Sequence, residues 1–129
     1  MAGESTFTYE HRRFSRVPVE MPVTLISEAG ETITAETRDM SALGVCLTGS
    51  LPLSPDITCT ICCAIEEGKH IEVKGTVIHA DTARTGIEIT AIKADTVAHL
   101  RELLAAHAEH PDEIDIEMIS RPGFPPDLY

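Results

Sequence analysis

The chain has 129 residues, a length typical of one domain with a modest core, which excludes a multidomain enzyme. Ten Lys and Arg residues against 21 Asp and Glu residues give a net charge of −11 at pH 7, which disfavours nucleic-acid binding through a basic surface. Hydrophobic residues make up 43% and charged residues 24%, as in packed globular proteins and unlike disordered ones.

The first two thirds of the chain predict an arm followed by β-strands. Residues 1–16 are polar and lack a sustained apolar period, so we interpret them as a flexible N-terminal arm. From Val17 to Leu25 every second side chain is apolar, which predicts a half-buried strand. Further strands are predicted, in chain order, at residues 32–37, 45–47, 57–66, 70–80 and 85–93. Short connections between them predict a mainly β fold, a six-stranded antiparallel meander or barrel.

After residue 93 the apolar period becomes that of an α-helix. Its apolar stripe consists of Val97, Leu100, Leu103 and Leu104. Asp95 or Thr96 is predicted to cap the helix, which we expect to plug or flank the barrel, so that residues 17–108 form one unit. Residues 109–129 are acidic and rich in proline, and they are predicted to be an irregular tail.

Two short segments carry residues suited to binding an anion. Arg12, Arg13 and Arg16 concentrate positive charge on an acidic protein, and guanidinium groups bind phosphate oxygens bidentately and stack on purines. The segment from Asp39 to Gly44 offers a carboxylate suited to the two parallel N–H donors of a guanine edge, a serine hydroxyl and a close backbone approach. The alternatives are a solvated basic patch and an ordinary turn between strands.

Together the two segments resemble the signature of PilZ domains, RxxxR followed by [DN]xSxxG. Arg12 to Arg16 matches the first element, and Asp39 to Gly44 matches the second. The runs RVPV at 16–19, GVCL at 44–47 and TGIEI at 85–89 are also similar to that family, and the resemblance covers about residues 10–107. One departure is Ile89, at a late-strand position that is often aromatic in the family.

This resemblance implies a six-stranded antiparallel PilZ-like barrel with one C-terminal helix, and a receptor for the bacterial second messenger cyclic di-GMP. The ligand would be held by Arg12, Arg13, Arg16, Asp39, Ser41 and Gly44. In this assignment Arg12 and Arg16 hold the phosphates and the guanine faces, and Arg13 assists them. Asp39 and Ser41 form hydrogen bonds with a guanine, and Gly44 lets the ligand or the loop approach the backbone closely. We therefore expect a stand-alone receptor whose arm becomes ordered on binding and which signals to a protein partner. A ligand-independent adaptor acting through protein contacts is the alternative.

Other features predict neither a catalytic site nor a metal site. Cys59 and Cys62 form a CxxC, but residues three apart on a strand point to opposite faces and no second pair exists, so we interpret the thiols as core residues, with Cys62 the more reactive. His107, His110 and Asp112 at a helix end make a poor metal cage. The chain has no phosphate-binding glycine loop, nucleophile elbow or HExxH motif.

Localisation and assembly are predicted from what the sequence contains. The start of the chain lacks the basic and apolar regions of a secretory signal, so a cytoplasmic location with reduced cysteines is expected. The longest uncharged apolar stretch, residues 57–65, is far below the roughly 20 residues of a transmembrane helix, so membrane insertion is not expected. Part of the helix stripe could mediate a homodimer, and the tail could dock a partner.

Overall fold

The described part of the chain forms seven strands before its helices. The structure is a computed structural model, and it describes residues 14–129. The strands are β1 (Val17–Pro18), β2 (Pro22–Ser27), β3 (Thr32–Ser41), β4 (Gly44–Thr48), β5 (Thr58–Glu66), β6 (Lys69–Ala80) and β7 (Arg84–Ile92). Gly30 and Gly68, in the turns after β2 and β5, have positive φ, which glycine adopts without strain.

The sheet closes on itself into a barrel of six antiparallel strands. The order of neighbours is β3, β2, β5, β6, β7 and β4, and β4 pairs back onto the second half of β3. The two residues of β1 pair with β3, so that Val17 lies opposite Met40 and Pro18 opposite Asp39. The prediction of a six-stranded antiparallel barrel is confirmed.

Strand β3 contains a bulge that the sequence pattern concealed. Thr37 lies opposite Leu47, but Asp39 lies opposite Cys46, so Arg38 is an extra residue in β3. A bulge of this kind places two neighbouring side chains against one residue of the partner strand. Arg38 and Asp39 are both less than fully buried, and both lie opposite Cys46.

The junction of β3 and β4 is a tight hairpin rather than a break in the strand pattern. The sequence predicted that a strand ends at Thr37 and that residues 38–44 interrupt the pattern. In the structure β3 continues to Ser41, and only residues 42–43 separate it from β4. Thr37 and Met40, three residues apart, are both buried, because the bulge shifts the two-residue alternation by one position.

The barrel core is completed by helix α1 (Val97–His107), which follows a short 3-10 helix at Ala94–Thr96. Helix α1 packs against β1 and β6, and its buried residues are Leu100, Leu103 and Leu104, as the apolar stripe predicted. Thr96, one of the two predicted caps, occupies the N-cap position of α1, but its side chain makes no cap hydrogen bond to the helix and its hydroxyl donates instead to the Lys93 carbonyl oxygen at 2.8 Å.

The expectation of a single helix followed by an irregular tail is corrected by a second helix, α2 (Pro111–Ser120), which packs against α1. Pro111 begins α2, where a missing backbone N–H costs no helical hydrogen bond. Asp112 and Glu113 follow in the first turn, where the helix dipole favours negative charge. Ile114 and Met118 are buried in the main core, so this segment belongs to the folded body.

The end of the chain returns to the barrel. Strand β8 (Asp127–Leu128) pairs in parallel with β7. The Tyr129 N–H donates to the Ile92 carbonyl oxygen at 3.1 Å, and its hydroxyl donates to Glu72 at 2.9 Å. The ammonium of Lys74 lies 4.4 Å from the centre of the Tyr129 ring. Across residues 14–129, no helix has the length and apolar character needed to cross a membrane.

Candidate ligand-binding site

Two of the sequence-predicted residues form an ion pair on the outside of the barrel. Arg16 immediately precedes β1, and pairing of β1 with the end of β3 brings it to Asp39. The Arg16 Nη1 donates to the Asp39 Oδ1 at 2.6 Å. The side chains are 43% and 25% exposed, so a ligand arriving from solvent can contact both groups.

Ser41 and Gly44 lie directly beside this pair at the β3–β4 hairpin. The buried Ser41 hydroxyl accepts a hydrogen bond from the Leu43 N–H at 3.3 Å, so it also stabilises the turn. A Cβ placed on Gly44 would lie 3.4 Å from both the Arg16 Nη2 and the Ser41 Oγ. The structure therefore brings Arg16, Asp39, Ser41 and Gly44 into one cluster.

The surface next to this cluster is lined by small residues. Gly44, Cys46 and Gly86 lie on neighbouring strands, with Cys46 opposite Gly86, and we call these three residues the outer strip. Their chain neighbours Val45 and Ile87 are buried in the core, so alternation places the outer strip on the other side of the sheet, where Gly86 is partly exposed and Gly44 and Cys46 are buried. With strands about 4.8 Å apart and alternate residues about 6.8 Å apart, the strip has the dimensions of a purine ring.

Further positive charge surrounds the outer strip and was missed from the sequence. Arg38 lies opposite Cys46 through the bulge, and Arg84 begins β7 opposite Thr48. Burial and the Asp39 carboxylate raise the pKa of the Cys46 thiol, whereas Arg16, Arg84 and Arg38 act in the opposite direction. The strand alternation would have revealed Arg84 as outward-facing, but the bulge that brings Arg38 here left no sequence signal.

The remaining predicted ligand residues, Arg12 and Arg13, lie outside the described residues. Where the described chain begins, Phe14 is buried, with 3% of its surface exposed. A cavity of about 370 Å³ lies beside this segment, between residues 15–18 and residues 107–110 together with the start of α2. The N-terminal segment that bears Arg16 therefore lies between the barrel and the helices.

The cysteines behave as the strand pattern predicted. Cys59 and Cys63 are buried in the core, and burial raises the pKa of each thiol to about 11. Cys62 lies on the opposite face and is partly exposed, and burial is the main cause of its raised pKa. Within residues 14–129, no three His, Cys, Asp or Glu side chains are grouped so that they could hold a metal ion.

The fold and this cluster define a small β-barrel binding domain that presents arginines and a carboxylate on its outside, beside a strip of small residues. The chain belongs to the PilZ domain family, whose model matches residues 10–106. The comparison with curated protein sequences gave no significant match.

Two solved structures share the fold at low sequence identity. The PilZ domain of CeSA from a cellulose-synthesising bacterium is 22% identical, with a TM-score of 0.60 over 71% of this chain and 96% of that one. The Bacillus subtilis inhibitor of motility, MotI/DgrA, is 15% identical, with a TM-score of 0.59 over 72% of this chain and 48% of that one. PilZ domains are binding domains.

Proposed function

We propose that this protein is a cyclic di-GMP receptor whose ligand is held by Arg12, Arg13, Arg16, Asp39, Ser41 and Gly44. The observation that carries the proposal is the assembly of the last four residues into one cluster, in which Arg16 and Asp39 are accessible to solvent, although the four are separated by up to 28 positions in the chain. Membership of the PilZ family supports cyclic di-GMP as the ligand.

The chemistry of the cluster fits a cyclic dinucleotide. Arg16 already lies against a carboxylate, so phosphate oxygens can exchange with Asp39 for the guanidinium donors, while the carboxylate accepts the two N–H groups of a guanine edge. The outer strip carries no long side chain of its own, and a purine would meet it at Gly86, its partly exposed member. Arg38 and Arg84 add positive charge at its edges.

The net charge of −11 favours a small anionic ligand over a nucleic acid at this site. A long polyanion experiences the whole negative surface, whereas a small ligand experiences mainly the local arginines. In the proposed role, ligand bound at Arg16 and Asp39 changes the surface that the domain presents, and a protein partner recognises that change.

The test is calorimetric titration of the full chain with cyclic di-GMP, with GTP as the control ligand. Arg16→Ala and Asp39→Ala are compared with Arg121→Ala and Asp95→Ala, which remove the same charges at exposed positions far from the cluster in sequence. Because hydrogen bonds to charged groups contribute about 1.5–3 kcal/mol each, each site variant should bind at least tenfold more weakly. The two controls should bind like the unchanged protein.

The titration separates the receptor from a ligand-independent adaptor. Saturable binding that both site variants lose, and that GTP does not reproduce, supports the receptor. Absence of heat, together with absence of thermal stabilisation by excess cyclic di-GMP, would refute it. The adaptor would then be the remaining function, and the exposed Ile116 and Ile119 of α2 would be the first surface to test for partner contacts.

A further inference from the structure

Helix α2 lies beyond the part of the chain that the family model matches, which ends at residue 106. Its inner face carries one charged side chain, Glu117, which is only 5% exposed. A buried carboxylate is costly unless hydrogen-bond donors replace the water that it loses. The donors that bind the Glu117 carboxylate therefore identify the segment against which α2 is held.

Within residues 14–129, the two donors to the Glu117 carboxylate both come from Ser15. The Ser15 N–H donates to Oε1 at 2.8 Å, and the Ser15 hydroxyl donates to Oε2. The two residues are separated by 102 positions in the chain, so this is a long-range contact rather than a local cap. Because Ser15 is the neighbour of Arg16, the carboxylate fixes the backbone immediately before the ligand-site arginine.

A second contact strengthens the same attachment. Phe14 is buried and its ring lies 6.4 Å from that of Phe124, measured between centroids. A Cβ at Gly123 would lie 3.5 Å from the Leu43 side chain, in the turn between Ser41 and Gly44. The C-terminal segment therefore contacts both halves of the ligand site, the arginine segment and the β3–β4 hairpin.

We infer that Glu117 is a positioning residue for the cyclic di-GMP site: it holds Ser15, and thereby Arg16, in the place that the ligand requires. This inference rests on the proposed function. Ligand binding to a segment that is already placed loses less conformational entropy, so removal of the Glu117 contact weakens binding without removing any ligand contact. By linkage, the bound ligand stabilises the docking of α2 to the same extent.

The experiment compares Glu117→Gln with Glu113→Gln. The two substitutions remove the same charge from the same helix, but Glu113 is exposed, whereas Glu117 is buried. An amide presents one acceptor oxygen where the carboxylate presents two, so one Ser15 donor loses its partner. Cyclic di-GMP affinity should fall about tenfold in Glu117→Gln and stay within twofold of the unchanged protein in Glu113→Gln.

A double-mutant cycle separates positioning from general destabilisation. Ser15→Ala removes one donor from the other side of the contact, and the double variant Ser15→Ala/Glu117→Gln should bind no more weakly than Glu117→Gln alone within about twofold. If Glu117→Gln does not fold, Ser15→Ala carries the comparison, with an expected loss of about threefold. Additive losses, or unchanged or tighter binding in Glu117→Gln, would overturn the inference.

Hydrogen exchange of the ligand-free protein gives an independent readout. The amides of residues 14–17 should exchange faster in Glu117→Gln than in Glu113→Gln, while the amides of β5 and β6 should not change. Equal exchange in the two variants overturns the positioning role. A failure of the unchanged protein to bind cyclic di-GMP refutes the proposed function instead, because the exchange comparison does not depend on the ligand.

Discussion

Replacing Gly75 by alanine is expected to destabilise the barrel through a clash between β6 and β7. A Cβ at Gly75 would lie 2.5 Å from the Ile87 Cγ2 and 2.7 Å from the Glu88 carbonyl oxygen, where ordinary contacts begin at 3.4 Å. The isoleucine methyl can rotate away, but the carbonyl is backbone, so β7 would have to shift by roughly 0.7 Å. Such overpacking costs about 3 kcal/mol.

A smaller opposing effect reduces this value. Alanine lowers the entropy of the unfolded chain, which returns about 0.4–1 kcal/mol, so the net loss in the free energy of unfolding should be about 2 kcal/mol. For a domain of 129 residues this corresponds to a fall in Tm of roughly 8 °C. Urea unfolding at 25 °C, followed by circular dichroism, measures the change directly.

Gly86→Ala is the matched control, because Gly86 also lies in a central strand but belongs to the outer strip. Within residues 14–129, a Cβ there would meet only side-chain atoms of His79 and Ile78, at 3.6 and 3.9 Å. Its stability should stay within about 0.5 kcal/mol of the unchanged protein or rise, whereas its affinity for cyclic di-GMP should fall. A Gly75→Ala variant as stable as the Gly86→Ala variant would refute the packing argument.

Two further predictions concern the edge of the site and the core thiols. Arg38→Ala and Arg84→Ala should each weaken cyclic di-GMP binding about threefold and flatten its dependence on salt, as calorimetry at 50 to 300 mM NaCl would show; unchanged salt dependence would exclude these arginines from the site. Folding raises the pKa of the Cys59 and Cys63 thiols from 9.0 to about 11, because burial favours the neutral thiol. The protein therefore keeps its full free energy of unfolding below pH 9 and loses part of it as the pH rises towards 11. At pH 10 the loss should be about 1.4 kcal/mol per thiol in urea unfolding, and a Cys59→Ala/Cys63→Ala variant that loses as much would contradict this cause.

The barrel could be predicted from the sequence because most of its strands have one face in the core. The two-residue period survives in β5, where Cys59, Ile61 and Cys63 are all buried. The two-residue period fails in β3, because the extra residue Arg38 shifts the alternation of buried and exposed side chains by one position. The sequence around the β3–β4 hairpin therefore resembles the end of a strand. A bulge depends on the register of two strands, which one strand's sequence does not specify.

Helix α2 was missed because its signals were interpreted as those of a tail. Proline and acidic residues predicted an irregular tail, yet a proline such as Pro111 at the first helical position begins a helix equally well. Only the pair Ile114 and Met118 shows the helical period, and residues four apart span about one helical turn. A pattern this short does not predict a helix. The buried Glu117 could not be predicted, because its partner is 102 positions away.

The candidate site was predictable in part. The motifs identified Arg16, Asp39, Ser41 and Gly44, and the structure brings these four together. The roles of Arg12 and Arg13, outside the described residues, stay predictions. The motifs did not predict that Arg84 lies near the cluster, because only the pairing of β7 with β4 brings it there.

The attachment of the chain end to β7 has a consequence for how α2 can act. Helix α2 follows α1 at one end, and at the other the chain is tied down where β8 pairs with β7 and Tyr129 bonds to Ile92. A helix tethered at both ends stays at an effective concentration of the order of millimolar near its docking place even when Glu117 releases Ser15. Redocking is then a unimolecular step, and under the proposed function the C-terminal segment would respond to ligand without leaving the domain.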